Sequence, residues 1–174
     1  MKHRIFLAFL LTFGMLSAQA HGPTPKKIDE QVIITVPPDQ VWKILGDFGG
    51  MAQWHPSVAR STASDGNNVG SERVLEINGE QLTESLDEYD AHEHSYSYRL
   101  MDENVKALPV SSYFASIQVQ PEGDGSVVTW IGRFYRGDTG NFPSEELDDE
   151  AAIHAMTTFF HDGLANLKKK AEGQ

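Results

Sequence analysis

The sequence has no cysteine, which excludes a disulfide framework, a thiol nucleophile and a lipid attachment site and leaves folding to an apolar core. Positive charge is scarce, with 14 Lys and Arg against 25 Asp and Glu and a net charge of −11. A surface this acidic repels phosphate backbones and anionic headgroups, so it argues against nucleic acid and membrane surfaces as partners and suits a basic protein instead. Beyond residue 20 no stretch is long and apolar enough to cross a bilayer. The chain also lacks a His-Glu-x-x-His motif, a Gly-rich phosphate loop and a Ser-His-Asp signature. Metallohydrolase, nucleotide-dependent and serine hydrolase chemistry therefore have no support.

What is present begins with an export pattern. Lys2 and Arg4 precede an apolar run from Ile5 to Leu16, and Ala18-Gln19-Ala20 has the small-x-small form of a cleavage site. The run is too short to span a membrane. Cleavage after Ala20 predicts a periplasmic protein with a single domain over residues 21–174 and no membrane insertion. It removes two basic residues and no acid, which takes the net charge to −13.

Hydrophobic periodicity then sets the order of elements. From Ile28, the alternation of Val32, Ile34 and Val36 with polar positions has the two-residue period of a strand. Pro37-Pro38-Asp39 opens a short helix, in which Val41, Ile44, Leu45 and Phe48 follow at i, i+3, i+4 and i+7 until Gly49-Gly50 stops it. Met51 to His55 adds a second helical turn before Pro56 extends the chain. A strand near Val58 to Ser64 leads to a Gly/Asn-rich turn at Asp65 to Gly70. Asn78-Gly79 then supplies the positive φ angles of a two-residue hairpin between Glu72–Ile77 and Glu80–Tyr89. Further alternating strands follow at Ser95–Leu100, around Tyr113–Val119 and at Val127–Tyr135, so about six antiparallel strands form a meander.

The segment from Ser144 to about Lys170 reads as a helix of roughly 40 Å. Ser144 is the predicted cap, Glu145 to Glu150 complement the positive end of the dipole, and Lys168 to Lys170 complement the negative end. Ala151, Ala152, Ala155, Met156, Phe159, Phe160, Leu164 and Leu167 form its apolar face. Gly163 lies inside that face at a cost of about 1 kcal/mol against alanine. Two explanations stand: small residues leave an open volume under the helix, or the helix packs closely on an aromatic such as Trp130.

This order of elements resembles the START/birch-allergen/polyketide-cyclase superfamily. Val36-Pro37-Pro38-Asp39-Gln40-Val41-Trp42, Gly46-Asp47-Phe48, Trp54-His55-Pro56, Gly70-Ser71-Glu72-Arg73 and Ser95-Tyr96-Ser97-Tyr98-Arg99 are similar to stretches of its polyketide-cyclase-like branch. With the export pattern they look most like the MxaD-type periplasmic proteins. The resemblance implies an α+β helix-grip fold, in which a curved antiparallel sheet of about seven strands wraps a long C-terminal helix, with two short helices after strand 1. It also implies an apolar cavity between sheet and helix, no metal or bound cofactor, and a supporting role in methanol oxidation.

Several residues are candidates for the site. Trp54 and His55, held by Pro56 at a cavity mouth, would stack on a ligand and offer a hydrogen bond or a proton; otherwise Trp54 plugs the core and His55 caps a turn. Glu84 shares a strand face with Leu82 and Leu86, so an inward face buries its carboxylate as a general base or ligand anchor. Arg73, Arg99 or Arg133 would alternatively neutralise it as a structural pair, or the face points to solvent. Tyr98, Tyr113, Trp130, Phe134 and Phe159 are phased inward, and with Gly163 they would line a ligand site if volume remains among them. His154 and His161 are too far apart to share a metal, and His92 and His94 read as exposed. Three functions fit: an apolar or aromatic small-molecule binding or accessory protein, a cyclase- or dehydratase-like enzyme using His55 or Glu84 as acid or base, and an acidic docking partner of a basic periplasmic redox protein through Glu145 to Glu150. Binding leads, because only Glu84 can be placed inside as a titratable group.

Overall fold

The computed structural model describes residues 22–174; the export pattern at residues 1–20 lies outside them. β1 (Lys26–Ile34) ends three residues before Pro37, and α1 (Pro38–Leu45) starts on the proline pair. A 3-10 turn over Phe48–Gln53 follows, capped by the Asp47 side chain, which accepts from the Gly49 N–H at 3.1 Å. The meander comprises β2 (Val58–Ala63), β3 (Glu72–Ile77), β4 (Glu80–Asp90), β5 (Ser95–Asp102), β6 (Val110–Glu122) and β7 (Gly125–Arg136).

All seven strands form one antiparallel sheet in the order β1-β7-β6-β5-β4-β3-β2. β1 thus closes on β7, while the meander runs outward to β2. The turn between β3 and β4 has Asn78 at φ 57° and Gly79 at φ 79°, as the Asn-Gly pair predicts.

α2 (Asp149–Ala171) is shorter at its start than the sequence suggests, about 35 Å long. Ser144 does not cap it. Residues 144–147 instead form a turn pinned to the end of β7: the Leu147 N–H donates to the Ser144 carbonyl at 3.0 Å, and the Leu147 carbonyl accepts from the Asp138 N–H at 3.0 Å. The cap is Asp148, whose carboxylate accepts from the Ala151 N–H at 2.9 Å.

The helix buries Ala152, Met156, Phe159, Phe160, Gly163, Leu164 and Leu167, and it packs against β1 and β7. Its last turn is also tied to the β1 end of the sheet. Lys168 Nζ donates to the Ile33 carbonyl at 2.7 Å, and Glu172 accepts from the Thr35 N–H and hydroxyl at 2.8 and 2.9 Å. The core lies between this helix and the inward sheet face, with Trp54, Trp130, Phe48, Phe134 and Phe160 among its largest fully buried side chains.

Candidate functional site

Two polar assemblies lie inside the core. The first follows from the two-residue turn at Asn78-Gly79, which sets the register of β3 on β4 and brings Arg73 opposite Glu84. Arg73 Nε donates to Glu84 Oε2 at 2.7 Å and its Nη1 donates to the Phe48 carbonyl at 2.9 Å. Tyr113, from β6, donates its hydroxyl to Glu84 Oε1 at 2.5 Å. The guanidinium lies 4.1 Å from the Phe48 ring centroid and 4.8 Å from that of Tyr98. Tyr98 in turn accepts from the Trp130 indole N–H at 3.0 Å.

Arg73 is fully buried and Glu84 nearly so. Burial is the largest single influence and opposes the Arg73 charge, but the Glu84 carboxylate together with Tyr96 and Tyr98 outweighs it and raises the guanidinium pKa. Burial first, and the Glu84 charge second, push the Tyr113 phenol well above its ordinary value, so it serves as a donor. The arrangement matches the paired alternative for Glu84, with Arg73 as the partner. Both carboxylate oxygens already accept hydrogen bonds. Arg99 instead pairs with Asp87 at 2.6 Å, and Arg133 is exposed on the outer face.

The second assembly joins the 3-10 turn to α2. Trp54 is fully buried and His55 is 2% exposed. His55 Nε2 donates to the Phe159 carbonyl at 2.8 Å, which leaves Nδ1 to accept from the Ser57 N–H at 3.2 Å. The ring stacks on Phe159 with centroids 3.9 Å apart. Desolvation by burial is the main cause that lowers the His55 pKa to about 4. His55 is therefore a neutral histidine locked between two backbone groups, and the pair Trp54 and His55 lies in the core.

Gly163 explains how the imidazole approaches α2 so closely. A Cβ on Gly163 would lie 2.6 Å from His55 Cδ2 and 2.9 Å from Trp130 Cζ3. Close packing is thus the reason for this glycine, rather than an empty volume. Trp130 stacks on Phe160 at 4.0 Å and meets Trp54 edge-on at 5.6 Å, so rings pack closely beneath this part of α2. The buried Trp54 indole N–H has no acceptor among the described residues.

Open volume adjoins the aromatic cluster at the surface. A groove of about 350 Å³ runs between α2 and the β5–β6 connection, lined by Ile77, Val105, Ala107, Leu108, Ala155 and Phe159, with Ser57 and His154 also on it. Phe159 is the floor residue that touches His55. Of the predicted ligand-binding residues, Phe159 reaches this groove, Trp54, His55, Trp130 and Gly163 cluster behind it, and Tyr98, Tyr113, Phe134 and Glu84 are buried elsewhere in the core. Sequence reasoning offers three arginines as partners for Glu84, and the register counted from Asn78-Gly79 singles out Arg73 by placing it across from Glu84. It missed the connection at Val105–Pro109, which carries no periodic signal.

The remaining candidates stay apart. His92 meets Glu93 at 2.9 Å, and His94 meets Asp39 at 3.2 Å beside Trp42. His154 and His161 are exposed. Among the described residues no group of three or more His, Cys, Asp or Glu side chains could hold a metal. In the acidic stretch Asp148 caps α2 and Asp149 pairs with Lys26 at 2.7 Å, whereas Glu145, Glu146 and Glu150 are exposed. No helix among the described residues is long and apolar enough to cross a membrane.

A seven-stranded antiparallel sheet gripping one long C-terminal helix defines the helix-grip class of α+β protein. The chain belongs to the polyketide cyclase / dehydrase and lipid transport family, whose model matches residues 25–172. It is similar to XoxI from Bacillus cereus, with 28% identity and a TM-score of 0.69 over 83% of this chain and 94% of that one. A similar likeness holds for an uncharacterized protein from Bacillus thuringiensis, with 27% identity and a TM-score of 0.69 over 86% and 100% of the two chains. Ara h 8.0201 shares the fold at 12% identity, with a TM-score of 0.66 over 87% and 100%. No curated protein matches the chain.

Proposed function

We propose that this protein binds an apolar or aromatic small molecule through the groove between α2 and the β5–β6 connection, and that it works as a carrier or accessory protein rather than as an enzyme. The observation that carries this reading is the position of Phe159, which floors the groove on one side and stacks on His55 on the other. A ligand that turns the Phe159 ring aside meets Trp54, His55 and Trp130, including the buried Trp54 indole N–H that lacks an acceptor. Binding is favoured over turnover because the buried titratable groups satisfy one another: Glu84 is held by Arg73 and Tyr113, and both His55 nitrogens are engaged. Membership of a family described by lipid transport supports an apolar ligand.

The same proposal has the chain exported to the periplasm, cleaved after Ala20 and folded as one domain over residues 21–174. Its proposed context is methanol oxidation, a reading supported by the resemblance of its motifs and export pattern to MxaD-type proteins. A second reading, docking on a basic redox protein, draws on the exposed Glu145, Glu146 and Glu150. Such association weakens steeply as salt rises, and salt-insensitive binding contradicts it.

Titration with the uncharged fluorophore N-phenyl-1-naphthylamine tests the groove. Saturable binding is expected, weakened at least tenfold in Ala155→Trp, which fills the groove from α2, and retained in the outer-face variant Arg133→Gln. No saturable binding, or equal binding by Ala155→Trp, overturns the proposal.

A further inference from the structure

The face of the sheet turned away from α2 has its own chemistry. Register puts Arg99 of β5, Phe114 of β6 and Arg133 of β7 in one cross-strand row, and Ser112 and Tyr135 in the next. All five point outward, since Tyr98, Tyr113 and Phe134 between them point in. Phe114 is 45% exposed and Tyr135 36%, a pair of rings presented to solvent. With Pro25, Leu100 and Asp87, these residues bound a groove of about 530 Å³.

The two arginines are not equivalent. Arg99 is neutralised by Asp87 at 2.6 Å. Arg133 forms no ion pair among the described residues and makes no side-chain hydrogen bond with them. The groove therefore carries one uncompensated positive charge in a chain whose net charge is −11. Flat guanidinium planes beside exposed rings suit a planar aromatic body, and the free charge suits a single anionic group.

We propose that this groove binds a small aromatic carboxylate, with its ring against Phe114 and Tyr135, its carboxylate on Arg133, and the Ser112 hydroxyl as a second donor. The site is separate from the groove under α2 and takes the opposite kind of ligand, charged rather than neutral. Its position on the convex side also means that occupancy requires no movement of the core.

Amide-resolved NMR titration with 2-naphthoate and with uncharged 2-naphthamide tests it. Saturable shifts are expected at Ser112, Phe114, Arg133 and Tyr135, with naphthoate bound about fivefold more tightly than the amide. Arg133→Gln should abolish that preference, and Phe114→Ser should weaken both ligands. Both side chains are exposed, so unchanged denaturation midpoints will show that the variants fold. Equal affinity for the two ligands, shifts confined to Ala107, Leu108 and Phe159, or no saturation in the millimolar range overturns the assignment.

Discussion

His55 sits against Gly163 so closely that a methyl group on the glycine would overlap the imidazole, 2.6 Å from Cδ2 and 2.8 Å from Nε2. The contact lets a side chain from the turn before β2 donate to the Phe159 carbonyl in the middle of α2. Helix propensity alone predicts that Gly163→Ala stabilises the protein by about 1 kcal/mol. The packing predicts the reverse, a loss of about 2 kcal/mol through overpacking against two immobile rings. Urea denaturation decides between them by the sign of the change.

The same histidine sets a pH dependence. Its folded pKa of about 4 lies below the ordinary 6.5 because burial disfavours the charged form, with Asp162 opposing that shift and Arg73 adding to it. The unfolded chain therefore takes up a proton first as pH falls, and the stability that neutral His55 contributes is complete above pH 6.5 and lost toward pH 4. The slope reaches about 1.4 kcal/mol per pH unit and the total about 3 kcal/mol. Denaturation of the protein and of His55→Gln across pH 7 to 4 checks this, with the variant expected to lose most of the slope. Equal slopes would remove His55 from the account.

The buried Arg73–Glu84 pair predicts a strong asymmetry between single and double substitutions. Arg73→Met leaves a carboxylate unpaired in the core, and Glu84→Gln leaves the guanidinium without its counter-charge, so each should cost about 3–5 kcal/mol. Arg73→Met combined with Glu84→Leu should recover most of that loss. Tyr113→Phe removes one donor to Glu84 and should cost about 1–3 kcal/mol. Additive losses in the double variant, measured by chemical denaturation, would contradict the pairing.

Much of this architecture was legible in the chain. Alternation identified the strands, Asn78-Gly79 identified the hairpin, and the apolar face of α2 identified the helix that the sheet grips. The start of α2 was misplaced because Ser144 and five following acids look like a cap and first turn, while the contacts that hold residues 144–147 against Gly137 and Asp138 are tertiary. His55 was legible as a candidate but not as a locked core residue, since its two partners are backbone groups, one of them 104 positions away. Arg73 was legible as one of three arginines that could pair with Glu84, but only the hairpin register separates it from Arg99 and Arg133. The groove at Val105–Pro109 depends on where an aperiodic connection comes to rest, and that is decided by packing.

Native mass spectrometry of the protein purified from its source organism, followed by extraction and identification of bound molecules, tests the central claim most directly. The account predicts a stoichiometric apolar or aromatic small molecule that is absent when Ala155→Trp is purified the same way. Protein that emerges empty, and stays empty when offered a library of lipids and aromatic compounds, would contradict it.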